Sequence, residues 1–136
     1  MDKKMTLSLD GKELALNFEV VYFYDYFLEY TGVDIFKESQ KPMDENNELV
    51  KALDSSTGYF KFVTGLVTAG YHAECSAKEI EIEYDVKKIK HLIYSKTFVE
   101  VSAILDAYNS VMSQGNRKNG EEKKKKSQAN QLASTS

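Results

Sequence analysis

The feature that most constrains this sequence is a change of hydrophobic period near its N-terminus. Residues 5–18 alternate apolar and polar side chains on both sides of the pair Asp10-Gly11. A period of two around Asp-Gly is the strongest short-range signal for a β-hairpin, because this pair accepts the positive φ angles of a tight turn. From Glu19 onward the apolar residues recur at helical spacing instead. The sequence therefore predicts a hairpin over residues 5–18 that leads directly into a helix.

The rest of the ordered chain, residues 19–112, is predicted to be helical. A loop is predicted around Pro42, the only proline, and a helix with uncertain ends follows over residues 60–71. Two further amphipathic stretches, 86–93 and 98–112, are separated by a joint at residues 95–97. The predicted fold class is α+β and mainly helical, with an N-terminal β-hairpin followed by a bundle of about four helices.

One segment permits two different predictions. The residues Glu79 to Tyr84 alternate strictly between polar and apolar side chains, which is typical of a strand. The spacing of Ser76 and Glu79 also matches a capping box, which would begin a helix at the same place. The pattern alone leaves strand and helix open for residues 79–84.

Length and charge divide the chain into a body and a tail. A chain of 136 residues suits one domain with one core, here residues 1–112. Residues 113–136 are polar and rich in lysine, and they are predicted to form a disordered tail. Their net charge of +4 leaves −7 on the remainder of the chain. An acidic body argues against nucleic-acid binding by the domain, because neutralising phosphates requires a basic face.

The residues that most often carry chemistry are few. Two histidines, His72 and His91, and one cysteine, Cys75, are too few for a usual zinc site, and no nucleophile signature surrounds them. The glycines lack a phosphate-binding pattern. The sequence therefore predicts no enzyme, no metal site and no cofactor. A lone cysteine suits a reducing compartment, and the longest apolar run is far too short to cross a bilayer, so we expect a cytoplasmic protein without a membrane segment.

The first predicted helix carries an unusual number of aromatic rings. Tyrosines recur every four residues along one edge, beside a stripe of phenylalanines. Tyrosine is enriched at protein interfaces, so these rings are the candidate protein-binding residues. The competing interpretation is that this helix is central and buried on all sides. The candidate residues are Tyr22, Phe23, Tyr26, Phe27 and Tyr30.

The opening of the chain resembles a known family. The resemblance is to the tail assembly chaperones of long-tailed, siphovirus-type phages and prophages of Gram-positive bacteria. It covers residues 5–112 in outline, and its specific part is the hairpin that leads into an aromatic helix. The residues that carry it are Met5-Thr6-Leu7-Ser8-Leu9-Asp10-Gly11-Lys12-Glu13-Leu14 and then Leu16-Asn17-Phe18.

The resemblance implies a function and partners. A protein of this family works in the host cytoplasm, binds the tape measure protein, keeps it soluble during tail morphogenesis and is absent from the mature virion. A programmed frameshift near the end of the gene adds a segment that recruits the tail tube protein. Self-association is a further expectation. The adenine-rich lysine codons at the expected slip site would be those of Lys123, Lys124, Lys125 and Lys126.

Three other functions remain open from the sequence. The chain could be a tail- or head-completion protein, which mass spectrometry would detect in purified virions. It could be a small phage regulator that contacts nucleic acid through its basic tail, and that contact would weaken steeply with salt. An enzyme would lose turnover on substitution of Cys75, His72 or His91.

Overall fold

The computed structural model describes the backbone of residues 3–127 and the side chains of residues 3–113. Within that range a two-stranded hairpin precedes six helices, which confirms the predicted fold class. Four of the helices correspond to the four predicted helical stretches, and two short helices that were not predicted lie between the first and second of them. The strands are β1 (Lys4–Leu9) and β2 (Lys12–Asn17), and the helices are α1 (Val21–Thr31), α2 (Ile35–Glu38), α3 (Glu48–Ala52), α4 (Ser56–Lys78), α5 (Val86–Tyr94) and α6 (Phe98–Ser127).

The hairpin forms as the sequence predicts. Strands β1 and β2 pair antiparallel, with Leu7 opposite Leu14. Asp10 and Gly11 form the turn with φ angles of 52° and 81°, which are the positive values that a two-residue hairpin requires. Leu14 and Leu16 are buried, so one face of β2 packs on the core.

Helix α4 is the centre of the domain. It contacts α1, β2, α3, α5 and α6, and every residue from Phe62 to Cys75 is buried. The absence of a side chain at Gly70 allows the hairpin to approach this helix closely. A Cβ atom at Gly70 would lie 2.8 Å from Cε1 of Phe18 and 3.1 Å from Cβ of Leu16. The helix buried on all sides is therefore α4 rather than α1.

A line of aromatic rings joins helix α1 to Phe18, the residue after β2, and to α4. The Phe23 ring of α1 meets Phe18 edge-on at a centroid distance of 5.1 Å, and its Phe27 ring meets Phe62 edge-on at 5.5 Å. The helix ends at Gly32, where a φ of 80° lets the amide reach the Leu28 carbonyl at 2.8 Å. The outer face of α1 remains exposed.

Residues 79–85 form neither of the two structures that the sequence left open. They are an irregular connection between α4 and α5. Glu79 takes a left-handed conformation with a φ of 56°, and the amide of Ile80 donates to the Cys75 carbonyl at 2.9 Å, which closes the end of α4. Asp85 then caps α5 by accepting a hydrogen bond from the Lys88 amide at 2.9 Å.

The strand prediction and the helix prediction for residues 79–84 were both wrong for physical reasons. A strand needs a partner, and the sheet of the described chain contains only β1 and β2. The capping box fails because Ser76 lies inside α4, where its hydroxyl bonds to Tyr26 instead. Ile80 and Ile82, the apolar half of the alternation, are exposed.

The C-terminal part of the chain continues α6. The joint predicted at residues 95–97 lies between α5 and α6, as expected. Met112 still packs against the core. The helix runs on to Ser127, beyond the predicted domain end, whereas residues 128–136 lie outside the described residues. The tail boundary at residue 113 therefore stays a prediction. Among the described helices, none is long and apolar enough to span a bilayer.

Candidate functional site

The predicted aromatic surface of α1 is divided between the core and the exterior. Phe23 and Phe27 are fully buried, so the prediction that they form part of a protein-binding surface needs correction. The reason is geometric, because residues four apart share a helix face and this face lies against α4. Tyr22 is 49% exposed and remains open to solvent. The helical period alone could not say which of two adjacent aromatic stripes would face inward.

Tyr26 and Tyr30 are partly buried and are tied to α4. The Tyr26 hydroxyl bonds to Oγ of Ser76 at 2.8 Å, and the Tyr30 hydroxyl bonds to Nδ1 of His72 at 2.7 Å. Their two rings stack at a centroid distance of 5.7 Å. Buried tyrosine hydroxyls need such partners, and these bonds fix the position of α1 on α4. Partner binding by the three tyrosines stays a prediction.

His72 joins three parts of the domain. Its Nε2 lies 2.9 Å from the Tyr84 carbonyl oxygen, and a carbonyl can only accept, so Nε2 carries the proton. Nδ1 is then the acceptor for the Tyr30 hydroxyl. Burial raises the pKa of Tyr30 to about 12, so this hydroxyl keeps its proton and donates it. Both ring nitrogens are satisfied, which makes His72 a structural residue rather than a free ligand.

We predict that the protein loses stability as pH falls through the titration range of His72. Burial lowers the pKa of His72 below its ordinary value of 6.5. The unfolded chain therefore takes up the proton first, so the stabilisation is complete above the unfolded pKa and is lost as pH falls toward the folded pKa. Urea unfolding at pH values between about 7.5 and 5 measures this loss. A His72→Gln variant, even if less stable, should show a flatter profile, and an equally steep one would contradict the assignment.

The other candidate chemical groups do not form a reactive cluster. Cys75 is buried, and burial raises the pKa of its thiol, which disfavours the reactive thiolate. His91 is exposed on α5. Among the described residues, no three histidine, cysteine or acidic side chains converge to hold a metal ion. The prediction that the protein is not an enzyme remains untested by these contacts.

A groove lined mainly by apolar side chains lies between the α1 to α3 segment and α6. We call it the apolar groove, and it has a volume of about 530 Å³. Tyr24 and the short helices form one wall, and α6 forms the other. Residues that define the groove are Tyr24, Phe36, Met43, Leu53, Leu105 and Tyr108.

Two large apolar side chains at the groove remain open to solvent. Phe36 is 56% exposed and Met43 is 60% exposed. The Phe36 ring meets Tyr24 edge-on at a centroid distance of 5.5 Å, so it continues the aromatic wall of the groove outward. Exposed apolar side chains beside a concave apolar surface are typical of a site that binds another molecule.

The loop that carries Met43 is held in place by hydrogen bonds. Nδ2 of Asn47 donates to the Glu38 carbonyl at 2.9 Å and to the Pro42 carbonyl at 3.1 Å. The Glu38 carboxylate accepts from the Glu48 amide at 3.0 Å. These bonds fix both ends of residues 38–48, so the exposure of Met43 follows from a constrained loop.

The sequence patterns do not indicate the apolar groove. Residues 39–48 are predicted as a loop because of Pro42 and its polar neighbours, and the candidate binding residues lie on a regular helical stripe instead. The available signal was the presence of large apolar residues, Phe36 and Met43, beside polar ones. The four predicted frameshift lysines, residues 123–126, have side chains that lie outside the described part of the chain.

Comparison with known proteins adds no relative. No protein-family model, curated protein or solved structure matches this chain. The features that bear on function are therefore the apolar groove, the charge of the body and the resemblance of the opening residues.

Proposed function

We propose that this protein is a phage tail assembly chaperone that binds the tape measure protein and keeps it soluble during tail morphogenesis. The observation that carries the proposal is the apolar groove, hereafter the client groove, with Phe36 and Met43 exposed at it. The resemblance of residues 5–18 and the following aromatic helix to this family supports the choice of client. The protein acts in the host cytoplasm and is absent from the finished virion.

The shape and chemistry of the groove suit an amphipathic helix. A volume of about 530 Å³ accommodates the few apolar side chains that one face of a helix presents at spacings of three and four residues. Aromatic rings supply contact area, and flexible methionines such as Met43 and Met112 adapt to different side chains. Such adaptable surfaces bind many related segments without strict sequence demands. A long helical client offers a series of such segments.

Charge supports the same client. The net charge of −7 on residues 1–112 attracts basic segments and repels nucleic acid. A frameshift-extended form would join the same domain to a module that recruits the tail tube protein. In that form the chaperone brings tube subunits to the tape measure protein on which they assemble. Self-association would place several grooves along one client.

The test is co-expression of this chain with the tape measure protein of the same phage or prophage. We expect the client to enter a soluble complex, as measured by pull-down and size exclusion. A groove variant, Phe36→Ser with Met43→Ser, should leave most of the client insoluble because it removes apolar contact from the site. The matched control is Val21→Ser with Val99→Ser, which changes two residues that are 73% and 76% exposed and do not line the groove.

Circular dichroism melts of both double variants establish that they fold. A client that is equally soluble with the folded groove variant, or without this chain, would contradict the proposal. Mass spectrometry of purified virions adds an independent measurement. The proposal predicts that the chain is missing, and its presence in every particle would favour a tail- or head-completion protein.

A further inference from the structure

The wall of the client groove that contains the two short helices carries excess negative charge. Residues 34–54, which supply this wall, contain six acidic and three basic side chains. Two of the basic side chains are already neutralised, because Lys41 pairs with Glu38 at 2.8 Å and Lys51 pairs with Glu48 at 3.3 Å. The remaining carboxylates of this wall are therefore available to a bound molecule.

Two carboxylates lie beside Met43, which lines the groove and is largely exposed. Asp44 and Glu45 follow it directly in the chain and are both exposed. Neither forms an ion pair with a residue in the described range. The Asp44 carboxylate accepts from the Asn46 amide at 2.9 Å, and the Asp44 carbonyl accepts from the Asn47 amide at 3.0 Å. These bonds fix the turn, so the two negative charges stay next to Met43.

The long helices at the groove carry exposed carboxylates as well. On α6, Asp106 follows the lining residue Leu105 and lies one turn before Asn109, which also lines the groove. Side chains three residues apart are neighbours on a helix surface, so Asp106 flanks the groove on this side. On α1, Asp25 follows the lining residue Tyr24. Within the described part of the chain, neither carboxylate forms an ion pair.

Basic residues at the groove are fewer. Among the described residues that line it, Lys3 is the only charged one. Lys37 follows Phe36, but the Asp34 carboxylate lies beside it, because that carboxylate accepts from the Lys37 amide at 3.0 Å. Acidic side chains therefore outnumber basic ones at the rim, and the negative charge of the body acts at the groove itself.

We propose that the client groove selects a basic amphipathic helix, in which lysine or arginine residues flank the apolar stripe on both sides. This inference rests on the proposed function, since it concerns the partner of the same groove. The apolar stripe occupies the groove, and the flanking cations extend to Asp44, Glu45 and Asp106. Long basic side chains suit this arrangement, because their methylene stems cover apolar surface while the charged ends stay in water. Charge pairs at such a rim act mainly on selectivity and on the rate of association.

The test uses three fluorescein-labelled synthetic helices that share one leucine stripe and differ in the flanking positions, which hold lysine, glutamine or glutamate. Fluorescence anisotropy measures their binding to the full chain at low and at high salt. We expect the lysine helix to bind about tenfold more tightly than the glutamate helix at low salt, with the glutamine helix between them. The difference should shrink at high salt, because salt screens exposed charges.

Variants separate the charge of the rim from the net charge of the body. Asp44→Asn with Glu45→Gln removes two rim charges and keeps the shapes of both side chains. It should weaken binding of the lysine helix by about fivefold and leave binding of the glutamine helix unchanged. The matched control, Glu13→Gln with Glu81→Gln, removes two exposed carboxylates that do not line the groove. This control should bind all three helices as the unmodified chain does.

The outcomes distinguish this inference from the proposed function. If none of the helices binds, or if Phe36→Ser with Met43→Ser binds them all unchanged, the groove is not a helix-binding site and both proposals are overturned. If the three helices bind equally at low salt, or the glutamate helix binds best, the groove stands and only its preference for basic helices is overturned. An equal loss of binding in the rim variant and in the control would also overturn that preference, because the whole body would then supply the attraction.

Discussion

We expect substitution of Phe27 by alanine to lower the free energy of unfolding by about 3–5 kcal/mol, because deleting a fully buried ring leaves a cavity in a close-packed core. Phe27 has no exposed surface, and it lies between the Phe23 ring and the Phe62 ring of α4. Its loss opens the contact between α1 and α4. Urea unfolding followed by circular dichroism measures the change.

The control for this prediction is Tyr22→Ala on the outer face of the same helix. Tyr22 is about half exposed, so its removal should change stability by about 0.5 kcal/mol or less. A comparable loss of stability from both variants would contradict the orientation of α1. A loss below about 1 kcal/mol for Phe27→Ala would place its ring outside the core.

We expect substitution of Gly70 by valine to lower the free energy of unfolding by about 3 kcal/mol, because the new side chain would overlap atoms that cannot move away. The nearest atom, Cε1 of Phe18, would lie 2.8 Å from the added Cβ. The Phe18 ring is itself held edge-on by Phe23 at 5.1 Å and by Tyr108 at 4.9 Å. Strain at Gly70 therefore spreads to β2, α1 and α6. Thermal and urea unfolding both measure the effect.

Ala77→Val is the matched control because it places the same side chain at an exposed position of α4. Its expected cost is the difference in helix propensity, about 0.5 kcal/mol. If Gly70→Val were as stable as this control, the hairpin would have to pack on α4 less closely than described.

The parts of the fold that the sequence predicts well are those determined by local chemistry. Asp10 and Gly11 take the positive φ angles that a tight hairpin turn requires. Gly32 also takes a positive φ, and it ends α1. The amphipathic stripes of α5 and α6 bury most of the residues that their period indicates, including Ile89 and Val101, although Phe98 at the start of α6 is exposed. In each case, neighbours in sequence suffice to choose the conformation.

Elements that depend on distant contacts are harder to predict. The glycines of α4 lower its intrinsic helix propensity, yet α4 is the longest helix whose side chains are described along its whole length. Gly65 and Gly70 are needed because α1 and the hairpin lie close to the helix there. Residues 79–84 alternate like a strand but lack a partner strand, and only the tertiary structure shows that absence.

The candidate site illustrates the same limit. The aromatic pattern of α1 identifies rings that matter, but packing on α4 assigns Phe23 and Phe27 to the core. Phe36 and Met43 show no period, and they meet at one groove only because Asn47 and Glu38 fix the loop between them. A surface assembled from a loop, a short helix and α6 leaves no regular signal in the sequence.

The measurement that tests the proposed client groove most directly is site-specific photo-crosslinking after co-expression with the tape measure protein, the proposed client. A benzophenone side chain is incorporated either at position 43, beside the groove, or at position 99, which is exposed and outside it. We predict crosslinks to the client from position 43 and few or none from position 99. Equal crosslinking from both positions, or crosslinks from position 99 alone, would contradict binding of the client in the groove.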